Sequence, residues 1–287
     1  MRTLSKKKRK KSLLLRGARP KRALATEGTQ EWTRGGVITL FFLLFSLLAA
    51  KAQTSSHMIG VGPSKVLDTY LTPEKYSGTG FTYLYIKDNA HTDTLRRWTT
   101  TIEHELDFSK TRHRNSSASD LEGTYNLYLA RYYNLRPANN LRLQVGATAN
   151  ACIGGIYNLT SSNNPGQARA AINIMPSATA AYHFSIRQQH FTAHYELNLP
   201  LVGVMFSPNF GQSYYEIFNL GNYDHNIVPT TFISAPTFRQ IAAIDWHYSK
   251  RWALRLAYLG NYQQSQVNNL KQHVYTHRFL IGLTRSL

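Results

Sequence analysis

The chain has 287 residues, enough for one large domain or two small ones, with a formal net charge of +18 and a mean hydropathy of −0.35. A charge of that size spread over a folded surface would point to nucleic acid. Here residues 1–36 hold twelve of the Lys/Arg and two acids, and without residues 1–52 the balance falls to 20 cations against 13 acids, +7, so no nucleic-acid partner is expected. The single cysteine, Cys152, excludes an intrachain disulfide and a cysteine-based zinc site.

In chain order, the basic leader runs into VITLFFLLFSLLAA (37–50), an apolar run of 14 residues followed by Lys51 and Ala52. A spanning helix needs about 20 apolar residues, whereas an h-region of this length before an A-x-A pattern reads as a secretory signal. Cleavage is expected between Ala52 and Gln53. Residues 1–52 are therefore read as a basic leader and cleavable signal peptide, 53–65 as a small, polar linker, and 66–287 as the mature domain.

From about Gly78 onward the pattern has period two, the signature of half-buried strands. Nine segments alternate: about 79–88, 96–108, 122–135, 140–157, 169–186, 190–206, 237–249, 251–262 and 275–287. In 140–157, Leu141, Leu143, Val145, Ala147 and Ala149 oppose Arg142, Gln144, Gly146, Thr148 and Asn150. In 169–186, Ile172, Ile174, Ala178, Ala180 and Tyr182 oppose Asn173, Ser177, Thr179 and His183. In 190–206, Phe191, Ala193, Tyr195 and Leu197 oppose Thr192, His194, Glu196 and Asn198. In 237–249, Phe238, Ala242, Ile244 and Trp246 oppose Arg239, Asp245 and His247. In 251–262, Trp252, Leu254, Leu256 and Tyr258 oppose Ala253, Arg255 and Ala257, and in the last strand Phe279, Ile281 and Leu283 oppose Arg278, Gly282 and Thr284.

Soluble sandwiches alternate too. These strands are longer than the soluble average of about 5–6 residues, and their apolar faces end in aromatics (Tyr133, Tyr182, Tyr248, Trp252), as interfacial girdles do. Short connections at 136–139, 187–189 and 249–251 alternate with long ones at 109–121, 158–169, 207–236 and 262–273. The fold expected is all-β, an antiparallel up-and-down transmembrane β-barrel of 8–12 strands. Bacterial single-chain barrels have even strand numbers, so nine segments imply one more and ten is the best estimate. Val66 to Leu71 could be a short first strand, and 207–236 could hide a hairpin with arms 214–220 and 227–233.

Four segments, LDTYLTPEKYSGTGF (67–81), GGIYNLTSSNNPGQARA (154–170), LNLPLVGVMFSPNFGQSYYEIFNLGNYDHN (197–226) and NNLKQHVYTHRFLIG (268–282), resemble a family of outer-membrane barrels of unknown function from Bacteroides- and Prevotella-type bacteria. The resemblance covers most of 66–287. It implies a Gram-negative outer-membrane location, with outer-membrane lipid and the barrel-insertion machinery as partners, and implies no activity.

Chemistry-bearing residues concentrate in 203–236, where Ser213, Glu216, Asp224 and His225 lie among aromatics. A serine with a base in reach and a carboxylate behind it is the logic of an acyl hydrolase. The competing expectation is a structured loop that satisfies its own polar groups. His247-x-Ser249 with Asn261 resembles the spacing of outer-membrane phospholipase A, but Ser249 falls in a turn at the strand end opposite Asn261. Glu103 and Glu105 share a face and are expected to pair with lumenal arginines. The charges expected inside the lumen are Arg142, Glu196, Arg239, Asp245, Arg255 and Arg278. The eleven His show no HExxH and no ligand spacing, so neither metal nor cofactor is expected. The sequence is most consistent with a structural or ligand- or glycan-binding barrel whose lumen is filled by side chains. A lipid-modifying acyl hydrolase and a narrow pore are the alternatives.

Overall fold

The computed structural model describes residues 54–89, 97–115, 117–161 and 164–286. The leader, the signal peptide and the Ala52–Gln53 site lie outside the described residues.

Twelve strands and one short helix follow in order: β1 (Thr54–Asp68), β2 (Thr72–Asp88), β3 (Trp98–His113), β4 (Ser119–Ala138), β5 (Leu141–Asn158), β6 (Gly166–Ile186), β7 (Gln189–Asn198), β8 (Val202–Phe206), α1 (Tyr214–Phe218), β9 (Ile227–Thr231), β10 (Phe238–His247), β11 (Trp252–Val267) and β12 (Leu270–Ser286). Every pairing is antiparallel. β1 to β7 pair in sequence, β7 pairs with β10, and β10, β11 and β12 lead back to β1, which closes a barrel of ten strands.

The tenth strand is β1, which corrects the reading of 53–65 as a linker. β1 is in register with β12 from Thr54↔Ser286 to Asp68↔Gln272 and with β2 from Thr54↔Asp88, so it is the closing stave. Its pattern is faint because, Met58 and Val66 apart, its inner residues include four small ones (Ser56, Gly60, Gly62, Ser64), and Ile59 and Val61 are the large apolar residues of its outer face. Only the first half of 66–71 is strand; the rest turns the chain into β2.

The segment 190–206, expected as one strand, is two. β7 stops at Asn198; Leu199 N and Leu201 N still bond the Pro176 and Ile174 carbonyls of β6, but Pro200 has no N–H to give the ladder and the register on β6 slips by one residue before β8. β8 then pairs with β6 (Val202↔Ile174 to Met205↔Ala171), and β9 pairs with β8. This hairpin stands beyond the ends of β7 and β10. Of the hairpin arms expected in 207–236, the second is β9, but Tyr214–Phe218 is the helix α1. The expected long connection 262–273 is a two-residue turn, Asn268-Asn269, with φ of 50° and 59°. Two successive positive φ values define the type I′ hairpin turn, which asparagine tolerates.

The two faces differ as a membrane barrel requires. Outward side chains such as Ile59, Phe81, Ile172, Leu256, Phe279 and Ile281 are exposed, while inward positions carry Thr82, Glu105, Asn126, Arg239 and Arg278, all buried. In water an apolar belt of this extent would drive association; in lipid it is solvated. One end of the belt is marked by aromatics: Trp98 packs edge-on against Tyr133, Trp246 against Tyr248, and Phe184 stacks between Tyr182 and Phe191. Arg285, the charge on the apolar face of the last strand, sits over the ring of Trp252 in this girdle, 5.7 Å from its centroid. Toward the other end, Tyr262 stacks on Phe238 at 4.4 Å. From Trp252 to Tyr262 along a strand tilted by about 40° the height is about 25 Å, the apolar band of an outer-membrane barrel.

The aromatic girdle with Trp252 lies at the end where β1 begins, β12 finishes and the connections 139–140, 187–188 and 248–251 turn. The opposite end, the mouth, carries residues 159–161 and 164–165 and the whole of 199–237.

Candidate functional site: a plugged lumen and its two ends

Alternation delivers the lumenal charges. Glu103, Glu105 and Asp107 are successive inward positions of β3, and Arg239 and Arg278 are inward on β10 and β12. The Arg239 guanidinium donates to Glu105 Oε2 through Nε at 2.8 Å, to Glu103 Oε2 through Nη2 at 2.7 Å and to Glu196 Oε1 through Nη1 at 3.0 Å. It lies over the Tyr128 ring, 4.2 Å from the centroid, and Asn261 donates to the second oxygen of Glu105 at 3.1 Å. Arg239 is 2% exposed; its partners come from β3, β4 and β7 and tie β10 to the opposite wall, and Asn261 of β11 joins the knot through Glu105.

Arg278, fully buried, makes a second knot. It donates to both oxygens of Asp107 (2.9 and 2.7 Å), to Ser64 and Ser109 (2.8 and 3.0 Å), and to the carbonyls of Gly62 and Pro63 (both 2.9 Å). Thr82 donates to the same carboxylate. Beside these knots an apolar cluster of Met58, Leu84, Ile241, Ala243, Ala257, Leu259 and Leu280 fills one side of the lumen.

The expected lumenal set is brought together in part. Arg239 joins Glu196, and Arg255 forms a two-pronged bond with Asp245 (2.5 and 2.6 Å). Asp107, the partner of Arg278, was not among the expected lumenal charges, although its parity with Glu103 and Glu105 marks it as inward. Arg142 stands apart, 3.9 Å from Asp88.

At the mouth, residues 199–237 bridge two sides of the barrel. The Tyr214 hydroxyl donates to Gln167 at 2.9 Å and accepts from Ala168 N at 2.6 Å on β6. Across the mouth, Asn268 of the β11–β12 turn donates to the carbonyls of Ser207, Pro208 and His225, and Tyr70 of the β1–β2 turn meets Tyr214 edge-on at 5.6 Å. Burial, followed by the nearby Asp68 and Glu216 carboxylates, raises the Tyr70 hydroxyl above its ordinary pKa. Burial likewise raises Tyr214.

The four loop candidates for catalysis separate into two pairs. Ser213 is the N-cap of α1: its N–H and hydroxyl both donate to Glu216 Oε2 (2.6 and 2.9 Å), and its oxygen accepts from Glu216 N at 3.2 Å. This is a capping box. The backbone and then the hydroxyl donation from Ser213 hold the Glu216 carboxyl below its usual range. Asp224 and His225 pair with each other at 2.5 Å on the exposed rim. Among the described residues no hydrogen bond joins Ser213 to His225; Ser213 and Glu216 cap the helix, and Asp224 and His225 stand apart from them on the rim. The second candidate set is also dispersed. His247 Nε2 bonds Thr192, Ser249 Oγ accepts from Trp252 N in its turn, and Asn261 binds Glu105. Among the described residues no group of three or more His, Cys, Asp or Glu is placed to hold a metal ion.

At the end where β1 begins and β12 finishes the lumen opens into a cavity of about 400 Å³, bordered by Arg142, His183, His194, His247 and Arg255. The sequence shows each as inward through its parity; what it does not show is that the five meet around one space.

The family model described as "Protein of unknown function (DUF3316)" matches residues 41–287. The chain belongs to the DUF3316 family. No curated protein matches this member of DUF3316 by sequence. Among solved structures it is similar to the transport unit of the autotransporter AIDA-I from Escherichia coli, at 10% identity over 84% of this chain and 92% of that one, with a TM-score of 0.42. It is similar to the outer membrane protease OmpT from Escherichia coli at 6% identity, over 83% and 98% of the two chains, with a TM-score of 0.41. It is also similar to the attachment invasion locus protein Ail of Yersinia pestis at 11% identity, over 82% and 99%, with a TM-score of 0.28. Function has to be argued from the DUF3316 barrel's own residues.

Proposed function

We propose that the protein is a non-conducting barrel of the Gram-negative outer membrane that works as a binding scaffold. In this reading an N-terminal signal peptide exports it, cleavage follows Ala52, and the barrel-insertion machinery places it in outer-membrane lipid. The end with the short turns faces the periplasm, as is usual for such barrels. The segment 199–237 then faces outward and presents Phe210, Tyr215, Phe218 and Tyr223, all exposed, with no Lys or Arg between Arg187 and Arg239. Exposed rings beside side-chain amides suit a neutral glycan better than a phosphate-rich headgroup.

The observation that carries the reading is Arg239. Its three carboxylate partners come from two walls of the barrel, and together with the adjoining apolar cluster they occupy the cross-section where a pore would run. Planar-bilayer recording on purified protein tests it. Silence at high protein load is expected, and stable unit conductance steps would overturn the non-conducting reading. Recovery in the soluble periplasmic fraction would overturn the membrane assignment.

A further inference from the structure

We infer that the cavity at the end where β1 begins and β12 finishes is a binding site for a small anion carrying a carboxylate or phosphate group, with Arg142 as its principal donor. The inference goes beyond the proposed function, because it concerns the opposite end of the barrel from 199–237.

Arg142 differs from the other arginines of its region. Arg239 and Arg255 point their forks at carboxylates within hydrogen-bond distance. Arg142 has Asp88 at 3.9 Å, and its Nε is buried with no hydrogen-bond partner among the described residues. A guanidinium carries five donors in one plane and is the side chain best shaped for two oxygens of one anion. A buried donor without an acceptor is destabilising. An anion in the cavity would meet the part of the guanidinium that stays open to it.

The neighbours fit the same ligand. Arg142 faces Ala181 across the β5–β6 ladder, which makes His183, two residues on, its diagonal neighbour on the inner face. His183 faces Thr192, Thr192 faces Asp245, and His247 is diagonal to Thr192. Diagonal neighbours of this kind lie about 7–8 Å apart, so Arg142, His183, Thr192 and His247 form one row across four strands. Thr192 Oγ1 bonds His183 Nδ1 at 2.9 Å and His247 Nε2 at 2.8 Å. The hydroxyl fixes both rings through one nitrogen each. The second nitrogens, His183 Nε2 and His247 Nδ1, bond nothing among the described residues and are available to the cavity. Three carboxylates line the cavity too: Asp245 is held by Arg255 and His194, at 2.5–2.6 Å and 3.0 Å, Glu196 by Arg239 at 3.0 Å, and Asp88 stands 3.9 Å from Arg142. At about 400 Å³ the space is of the size that holds small ligands, and Glu196 of the Arg239 knot with Ile241 and Ala243 of the apolar cluster are part of its lining.

The test is calorimetric titration of the detergent-purified barrel with inorganic phosphate, with succinate, and with dimethyl succinate as the neutral control. Saturable binding of phosphate or succinate and none of the control is expected, and whichever anion binds more tightly names the ligand class. Arg142→Gln should weaken binding at least tenfold, and Arg142→Lys, which keeps the charge but loses the fork, by an intermediate factor. Both variants are compared as heat-modifiable, folded barrels. Absence of saturable anion binding by the wild-type barrel would overturn the inference whatever the variants do. Binding unchanged in folded Arg142→Gln, or unchanged in Arg142→Lys should the Gln variant fail to fold, would place the site elsewhere and overturn it equally.

Discussion

Gly80 and Arg278 share one space: a methyl group added at Gly80 would overlap Arg278 Nη2, and would stand 2.5 Å from Ser109 Oγ and 2.7 Å from the Phe108 carbonyl oxygen. The absence of a side chain on β2 is what lets the guanidinium of β12 reach Asp107 on β3. Gly80→Ala is therefore expected to displace Arg278 from Asp107 and cost about 1–3 kcal/mol, the usual range for overpacking. The measurement is the temperature at which the folded, fast-migrating gel band converts to the unfolded one. A midpoint equal to wild type would show that the knot tolerates the displacement.

Arg239 offers the larger effect. Removing a buried cation leaves Glu103, Glu105 and Glu196 facing one another without compensation, a loss of about 3–5 kcal/mol for breaking a buried pair. Arg239→Met should thus lower urea resistance of the folded barrel markedly. The triple change Arg239→Met, Glu103→Gln, Glu105→Gln should recover much of it, because it removes the stranded charges. A triple variant no better than the single one would mean that packing of the guanidinium over Tyr128, rather than charge, holds the plug.

How far these relationships could be read in the sequence depends on what alternation encodes. It encodes face, and so it placed Arg142, Glu196, Arg239, Asp245, Arg255 and Arg278 inside and allowed a Glu103/Glu105 pairing with a lumenal arginine. It does not encode which wall an inward side chain reaches across to, so Asp107 with Arg278 and the meeting of Arg142 with His183 and His247 had to come from three dimensions. β1 was missed because Ser56, Gly60, Gly62 and Ser64 carry little hydropathy contrast. That smallness has a structural reason, since Arg278 donates to the carbonyls of Gly62 and Pro63 and to Ser64. The Asn268-Asn269 turn was read as part of a long connection, 262–273, because neighbouring polar residues of β11 and β12 hid an asparagine pair suited to two positive φ values. Ser213 and Glu216 carried a second signal as well, the S-x-x-E spacing of a capping box, which competes with the catalytic reading and fits the geometry.

Outward positions make a depth-dependent prediction. Leu256 lies between Trp252 and Tyr262 on the lipid face of β11, opposite Ile281 of β12. Leu256→Arg is expected to destabilise the folded barrel by about 2–4 kcal/mol, the cost of a cation near the bilayer midplane, and Leu283→Arg, beside the Trp252–Arg285 girdle, by about 1 kcal/mol or less. Equilibrium unfolding in liposomes distinguishes the two. Equal costs at both positions would displace the belt from where its aromatics put it.

Asn268 separates turn geometry from loop anchoring. Asn268→Gly keeps an easy positive φ but loses the amide that holds the carbonyls of Ser207, Pro208 and His225. Asn269→Gly, with no such bonds, changes the turn alone. The first variant should leave barrel unfolding within about 1 kcal/mol of wild type while proteolysis within 207–226 speeds up. The second should alter neither. Accelerated cleavage in both, or in neither, would detach the anchoring role from the Asn268 side chain.

The capping box makes the same segment sensitive to acid. The Glu216 carboxyl has its pKa lowered by the N–H and hydroxyl of Ser213, so the folded loop holds its proton less tightly than the unfolded chain does. A carboxyl shifted in that direction contributes its stabilisation in full above the unfolded value, about 4.3, and loses it as pH falls through the lower folded value. Hydrogen exchange at 213–219 should therefore be slow at pH 7, after correction for intrinsic rates, and fast near pH 3, with the barrel strands protected at both. Glu216→Gln should remove most of this pH dependence, and Ser213→Ala should loosen the same residues at neutral pH. If Ser213→Ala instead abolished a measurable release of acyl chains from phospholipid while exchange at 213–219 stayed slow, the serine would be working as a nucleophile and the capping account of this loop would be wrong.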